Sequence, residues 1–235
     1  MNNPSSISRR DAFTLLAVTA AGGVLMTRSA FAQSANAGSA ALIAGADVCV
    51  ITPEVTEGPY YFDPKLERAD ITEGRPGLPT TVRLQVVDGA CKPLPGARVD
   101  IWHADASGIY SGYPRQPGNI STEGETFMRG TQFADASGIV EFRTVYPGWY
   151  PGRTTHIHFK VFLDQAIVLT GQIFFPDEVS DRVYSTAAPY TERGAKRDTS
   201  NDNDRIAQQA TGASVASVQE AAGGYLAQLI IGVAD

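Results

Sequence analysis

Thr155-His156-Ile157-His158-Phe159-Lys160-Val161-Phe162-Leu163 alternates in character along its length. Ile157, Phe159, Val161 and Leu163 share one side of a two-residue period, and His156, His158 and Lys160 share the other. That pattern reads as a β-strand with an apolar face. Downstream, Val168 to Phe175 is apolar and β-branched. Upstream, Gly138 to Val145 alternates before Pro147-Gly148, and Arg98 to His103 alternates before Asp105-Ala106-Ser107-Gly108. Thr81 to Val87 ends at Asp88-Gly89, and Tyr225 to Val233 follows Gly223-Gly224. Short strands separated by turn signals predict an all-β fold: a β-sandwich of mixed and antiparallel strands with long loops and little helix. One short amphipathic helix is expected around Asp204 to Gln209. No internal repeat or second-domain boundary is visible.

The 235 residues, 43% of them hydrophobic, suffice for one domain with its own core and exclude intrinsic disorder. Two cysteines exclude a disulfide-dense scaffold. Nineteen Lys+Arg against 25 Asp+Glu leave a net charge of −6 and no basic excess for a nucleic-acid partner.

Residues 1–32 read as an export signal. Ser8-Arg9-Arg10-Asp11-Ala12-Phe13 precedes an apolar stretch from Leu15 to Met26, and Ala30-Phe31-Ala32 offers an A-x-A cleavage site. The arginine pair resembles a twin-arginine signal, with Ala12 as one extra residue before Phe13; an ordinary secretory signal is the other reading. The apolar stretch is too short for a stable membrane anchor. Residues 33–47, small and polar, read as a flexible N-terminal segment ahead of one folded domain over 48–235. The leader carries Arg9, Arg10 and Arg28 against Asp11, which leaves −8 of the total −6 on the mature chain. In a periplasmic or extracellular setting Cys49 and Cys91 most simply form one disulfide; buried free thiols or a metal pair are the alternatives.

Two histidines at i, i+2 in a strand point to the same side, which suits a metal pair or a hydrogen-bonded structural pair equally. No Cys, Asp or Glu lies just upstream to complete a zinc site. Tyrosine does: Tyr146 and Tyr150 flank Pro147-Gly148-Trp149. An ionised phenolate is a hard anionic donor and favours a trivalent, Lewis-acidic ion.

Pro147-Gly148-Trp149-Tyr150-Pro151-Gly152-Arg153-Thr154-Thr155-His156-Ile157-His158 resembles the metal motif of the intradiol ring-cleavage dioxygenases, the catechol, hydroxyquinol and protocatechuate dioxygenases. Leu94 to Tyr110 resembles the family's second signature. Leu169 to Phe175 resembles a third block, and Thr52 to Tyr61 resembles the active-site entry segment. The resemblance spans residues 48 to the C-terminus. It implies Tyr110, Tyr150, His156 and His158 as Fe(III) ligands, with Tyr150 displaced by substrate and serving as its base. It implies catalytic roles for Tyr150, Arg153 and Gln172, and a substrate-binding segment of Thr56, Gly58, Pro59 and Tyr60. A salt bridge to a nearby carboxylate is the other role open to Arg153. The Pro-Gly-x-Tyr register favours Tyr150 over Tyr146, and His103 falls on no ligand position.

The implied reaction takes a small aromatic diol and O2, cleaves the ring between its two hydroxylated carbons and gives a cis,cis-muconate-type product, with Fe(III) as the cofactor. The helical dimerisation segment of catechol dioxygenases has no counterpart in residues 33–47, so a homo-oligomer by that route is in doubt. An exported β-sandwich that binds a ligand or protein without catalytic iron is the competing class, followed by a zinc or copper hydrolase using the histidine pair. Glu141, Asp164 and Asp177 are the carboxylates nearest in sequence for a two-His, one-carboxylate Fe(II) site.

Overall fold

Branched and aromatic side chains recur at every second position of the runs described above, and each run buries its apolar side. The computed structural model describes residues 42–43, 50–194 and 196–234. Within them, eight strands form two four-stranded sheets. The strands are β1 (Pro79–Val87), β2 (Arg98–Trp102), β3 (Arg129–Phe133), β4 (Ile139–Val145), β5 (His156–Leu163), β6 (Ala166–Phe174), β7 (Ser217–Ala221) and β8 (Gly224–Gly232). One sheet has the order β4-β1-β8-β7 and the other β3-β2-β5-β6. All pairings are antiparallel except β1 with β8, which is parallel. The fold is therefore the all-β sandwich expected.

The core lies between the sheets. Val82, Leu84 and Val86 of β1 meet Val99 and Ile101 of β2 and Ile157, Phe159 and Val161 of β5, all essentially fully buried. Burying each such side chain contributes about 1.5–3 kcal/mol. Gly171 of β6 lies opposite Phe159, and a Cβ there would come within 2.3 Å of the phenyl ring.

The other side of β5 is buried as well. His156, His158 and Lys160 are at most 5% exposed because residues 55–68 cross the outer face of their sheet. The Val55 N–H donates to the Thr170 carbonyl of β6, and Glu57 pairs with Lys160 of β5. The Tyr61 hydroxyl donates to Asp100 of β2, and the Thr131 N–H of β3 donates to the Leu66 carbonyl. This strap turns an outer sheet face into an enclosed one.

The expected helix is α2 (Arg205–Ala210), capped by Asp204, and it follows α1 (Asp177–Thr186), where no element is expected. Pro176 followed by Asp177 and Glu178 is a helix-start signal, and Val179 and Val183 supply its apolar side. Unexpected β3 contains Gly130, where a Cβ would strike Ile71 at 2.5 Å, so its alternation is interrupted. Unexpected β7 is a polar edge strand. Of residues 33–47, only Leu42 and Ile43 are described. Ile43 is buried and donates its N–H to Gln85 Oε1. The leader of residues 1–32 and Cys49, and with it the Cys49–Cys91 pairing, lie outside the described residues. No described helix is long and apolar enough to cross a membrane.

Candidate metal centre

β5 places the rings of His156 and His158 side by side on its outer side, with their Nε2 atoms 3.1 Å apart. Trp102, the register partner of His158 on β2, stacks on that imidazole at 4.9 Å and 10°. The loop after β2 brings in Tyr110, and the loop before β5 brings in Tyr150. The Tyr110 hydroxyl lies 3.0 Å from His158 Nε2, 3.3 Å from His156 Nε2 and 3.3 Å from the Tyr150 hydroxyl. The Tyr150 hydroxyl lies 3.0 Å from His156 Nε2.

Four donor atoms so spaced surround a common centre about 2 Å from each, the bond length of a first-row metal to nitrogen or oxygen. His156 Nδ1 donates to the Thr154 carbonyl at 2.6 Å, which leaves its Nε2 lone pair facing that centre. Burial holds His156 down at about 3 and His158 well below its usual range, with Arg153 adding to both shifts. Both rings are therefore neutral ligands at neutral pH. Burial pushes the Tyr110 hydroxyl well above its ordinary value, and the Tyr150 hydroxyl upward too. A strongly charged cation is what would favour their anionic forms. The residues present thus fit a hard, highly charged metal ion. Among the described residues, no group of three or more His, Cys, Asp and Glu side chains could hold a metal, so the carboxylate-based alternative has no counterpart. Glu141 pairs with Arg83 instead, and Asp177 with Arg197.

Gln116 fixes Tyr110 from behind: its Oε1 accepts the Tyr110 N–H at 2.7 Å, and its Nε2 donates to the Tyr110 carbonyl. Tyr60 stacks on the Tyr110 ring at 4.4 Å and 17°. Gly58, at φ +70°, passes over His158, where a Cβ would lie 3.3 Å from Cε1. Arg153 donates from Nη2 to Gln172 Oε1 at 2.5 Å and from Nε to Asp204 at 2.8 Å, with Nη1 3.3 Å from His156 Nε2. Gln172 Nε2 in turn donates to the Thr56 carbonyl at 2.9 Å.

Tyr60, Gly108, Tyr110, Gln116, Pro117, Tyr150 and Pro151 line a cavity of about 260 Å³ beside the centre. Of the four residues expected to bind substrate, only Tyr60 is among them. Thr56 lines a separate surface groove with Glu54 and Glu57, and Pro59 is exposed. Sequence reasoning missed Gln116 and Pro117, which carry no signal beyond a turn, and Asp204, which announces itself only as a helix cap. Tyr146 is in the core, hydrogen-bonded to Ser180 Oγ at 2.8 Å, and is no rival to Tyr150. His103 has both ring nitrogens engaged, by the Ala104 carbonyl and Thr144 Oγ1. Arg129 is buried against Ser111 and Phe62, and Arg115 is exposed.

A family model described as "Dioxygenase" matches residues 56–211, the whole stretch from the strap to α2. The structure is similar to an intradiol ring-cleavage dioxygenase from Tetranychus urticae, with 34% identity and a TM-score of 0.72 over 79% of this chain and 95% of that one. The chain belongs to the intradiol ring-cleavage dioxygenases. A second structure of this type is the dioxygenase domain of a dioxygenase carbohydrate-binding protein fusion from Streptomyces sp. SirexAA-E. It is 30% identical, with a TM-score of 0.57 over 78% of this chain and 97% of that one. Among curated relatives, catechol 1,2-dioxygenase 1 of Acinetobacter lwoffii is 28% identical over 187 residues, 64% of this chain and 59% of that protein. This intradiol dioxygenase chain spans about half the length of the curated relatives it matches.

Proposed function

We propose that this protein binds Fe(III) at Tyr110, Tyr150, His156 and His158 and, with O2, cleaves a catechol-type ring between its two hydroxylated carbons to a cis,cis-muconate-type product. The convergence of two phenols and two neutral imidazoles beside a fixed guanidinium, at the wall of an aromatic cavity, carries this reading. Iron bound there would supply Lewis acidity toward the diol and accept electron density from it. The diol must lose two protons to chelate a metal. Tyr150 borders the cavity and is the more exposed of the two tyrosines, so it yields its place and carries one proton away on its hydroxyl. Tyr110, clasped by Gln116, stays. Arg153 faces negative charge developing on the ring with a donor that needs no reorganisation. Tyr60 offers a face on which the substrate ring can lie, and Pro117 and Pro151 keep water from it.

We further propose that residues 1–32 direct export to the periplasm or beyond, that Cys49 pairs with Cys91 there, and that the diols are met outside the cytoplasm. A visible spectrum recorded before and after adding catechol tests the main reading. Tyrosinate-to-Fe(III) charge transfer makes the protein wine-red, and catechol shifts the band. A colourless protein that binds catechol without turnover would favour a binding module; one holding stoichiometric zinc would favour a hydrolase.

A further inference from the structure

We propose that Asp204 is a positioning residue for Arg153: one buried carboxylate ties the guanidinium to the start of α2 and so fixes the donor that faces the metal centre. The proposal rests on the role given to Arg153 above. The Asp204 side chain is 1% exposed and divides its two oxygens between two tasks. Oδ1 accepts the N–H groups of Ile206 and Ala207 at 2.8 and 3.2 Å and caps the helix. Oδ2 accepts Arg153 Nε at 2.8 Å and the Thr154 N–H at 2.9 Å.

An arginine side chain has many rotamers to lose, so a single contact does not hold its plane. Here Gln172 takes Nη2 and Asp204 takes Nε, which leaves Nη1 directed at His156. Asp204 is itself anchored. Thr154, between Arg153 and the histidine pair, bonds through Oγ1 to Asn201 at 2.9 Å. Asn201 accepts no freedom either, since its N–H donates to Asp177 and its side-chain amide to the Phe175 carbonyl. Arg197, 7% exposed, closes the clamp by pairing with Asp177 and Asp181 of α1. Burial would raise the Asp204 carboxyl, but the Thr154 N–H and the Arg153 charge outweigh it and keep the group ionised. Segment 197–204 therefore links α1 and α2 to Arg153, whose Nη1 faces His156.

Asp204→Ser separates the two tasks, because serine remains a good N-cap and lacks the second oxygen. In iron-loaded enzyme we expect kcat to fall roughly 10- to 100-fold, the size of effect that follows from a misplaced catalytic group. The visible charge-transfer band and the affinity for catechol in an anaerobic titration should stay close to wild type. In an Arg153→Ala background the same substitution should cost almost nothing more, since there is no guanidinium left to place. Wild-type kcat in Asp204→Ser, or an equal loss in both backgrounds, would overturn the proposal. Wild-type kcat in Arg153→Ala alone would instead overturn the role of Arg153, and the proposal with it. Should Asp204→Ser fail to fold, Asp204→Asn keeps the shape, removes the charge and is held to the same criteria.

Discussion

His103 makes the acid stability of this fold calculable. It is completely buried, with Nδ1 at 2.8 Å from the Ala104 carbonyl and Nε2 at 2.7 Å from Thr144 Oγ1. Burial holds its pKa down at about 4, against an ordinary value of 6.5, with the Arg129 charge acting in the same direction. The unfolded chain therefore takes up a proton below pH 6.5 that the folded chain refuses until about pH 4. Stability falls with falling pH across that window, by about 1.4 kcal/mol per unit per proton. Over the window the contribution of His103 is roughly 3 kcal/mol, a large part of the 5–15 kcal/mol typical of a domain. His156 and His158 are depressed in the same direction and add to the wild-type slope between pH 6 and 5 in metal-free protein. His103→Gln should lower that slope by one proton. It should also carry a pH-independent cost of about 1–2 kcal/mol from the disturbed bond to Thr144. Urea denaturation at pH 7.5, 6.0 and 5.0 measures both. A slope that His103→Gln leaves unchanged would mean that His103 is already protonated in the folded protein, and the account of its burial would be wrong.

The metal-centre predictions concern individual side chains. His158→Ala should abolish iron binding measured by metal analysis, and full iron with full turnover would remove it from the ligand set. Tyr150→Phe should fold and bind iron, shift the visible band and slow catechol deprotonation seen by stopped flow. Arg153→Ala should retain iron and lose on the order of 10² in rate. Cysteine labelling of periplasm-derived protein under denaturing, non-reducing conditions should find no free thiol.

Much of the fold was legible because periodicity reports burial directly. The strand at Thr155 to Leu163, the one at Thr81 to Val87 and the last at Tyr225 to Val233 each have a continuous apolar side, and each is found within a residue or two of its expected ends. Where a small residue serves a neighbour, as Gly130 does for Ile71, the pattern breaks and the strand is silent. His156, His158 and Tyr150 were readable because H-x-H and the Pro-Gly-x-Tyr register are local, and Tyr110 came only from the resemblance of Leu94 to Tyr110 to the family's second signature. What positions them was not. Gln172 to Thr56 and Asp204 to Arg153 are contacts made by the return of distant chain, 116 and 51 residues apart, while Gln116, six residues from Tyr110, meets it within an irregular loop that has no period to read.

The lysine in the opening strand shows how function and fold meet here. On an exposed sheet face, His156, His158 and Lys160 would be the ordinary polar side of an amphipathic strand. The strap changes that: Lys160 is 5% exposed, pairs with Glu57 and lies 4.1 Å over the Tyr61 ring, which itself packs on Trp102 at 4.7 Å. Trp102 stacks on His158, so the strap closes over that imidazole through two aromatic layers. Removing one charge from the Lys160–Glu57 pair should therefore loosen the strap rather than the sandwich. Lys160→Met is expected to keep the fold, since it fills the same space, while increasing amide exchange in residues 55–61. If exchange rose equally in β1 and β8, across the core, the strap would be integral to the sandwich, and the enclosed outer face would be a property of the whole domain.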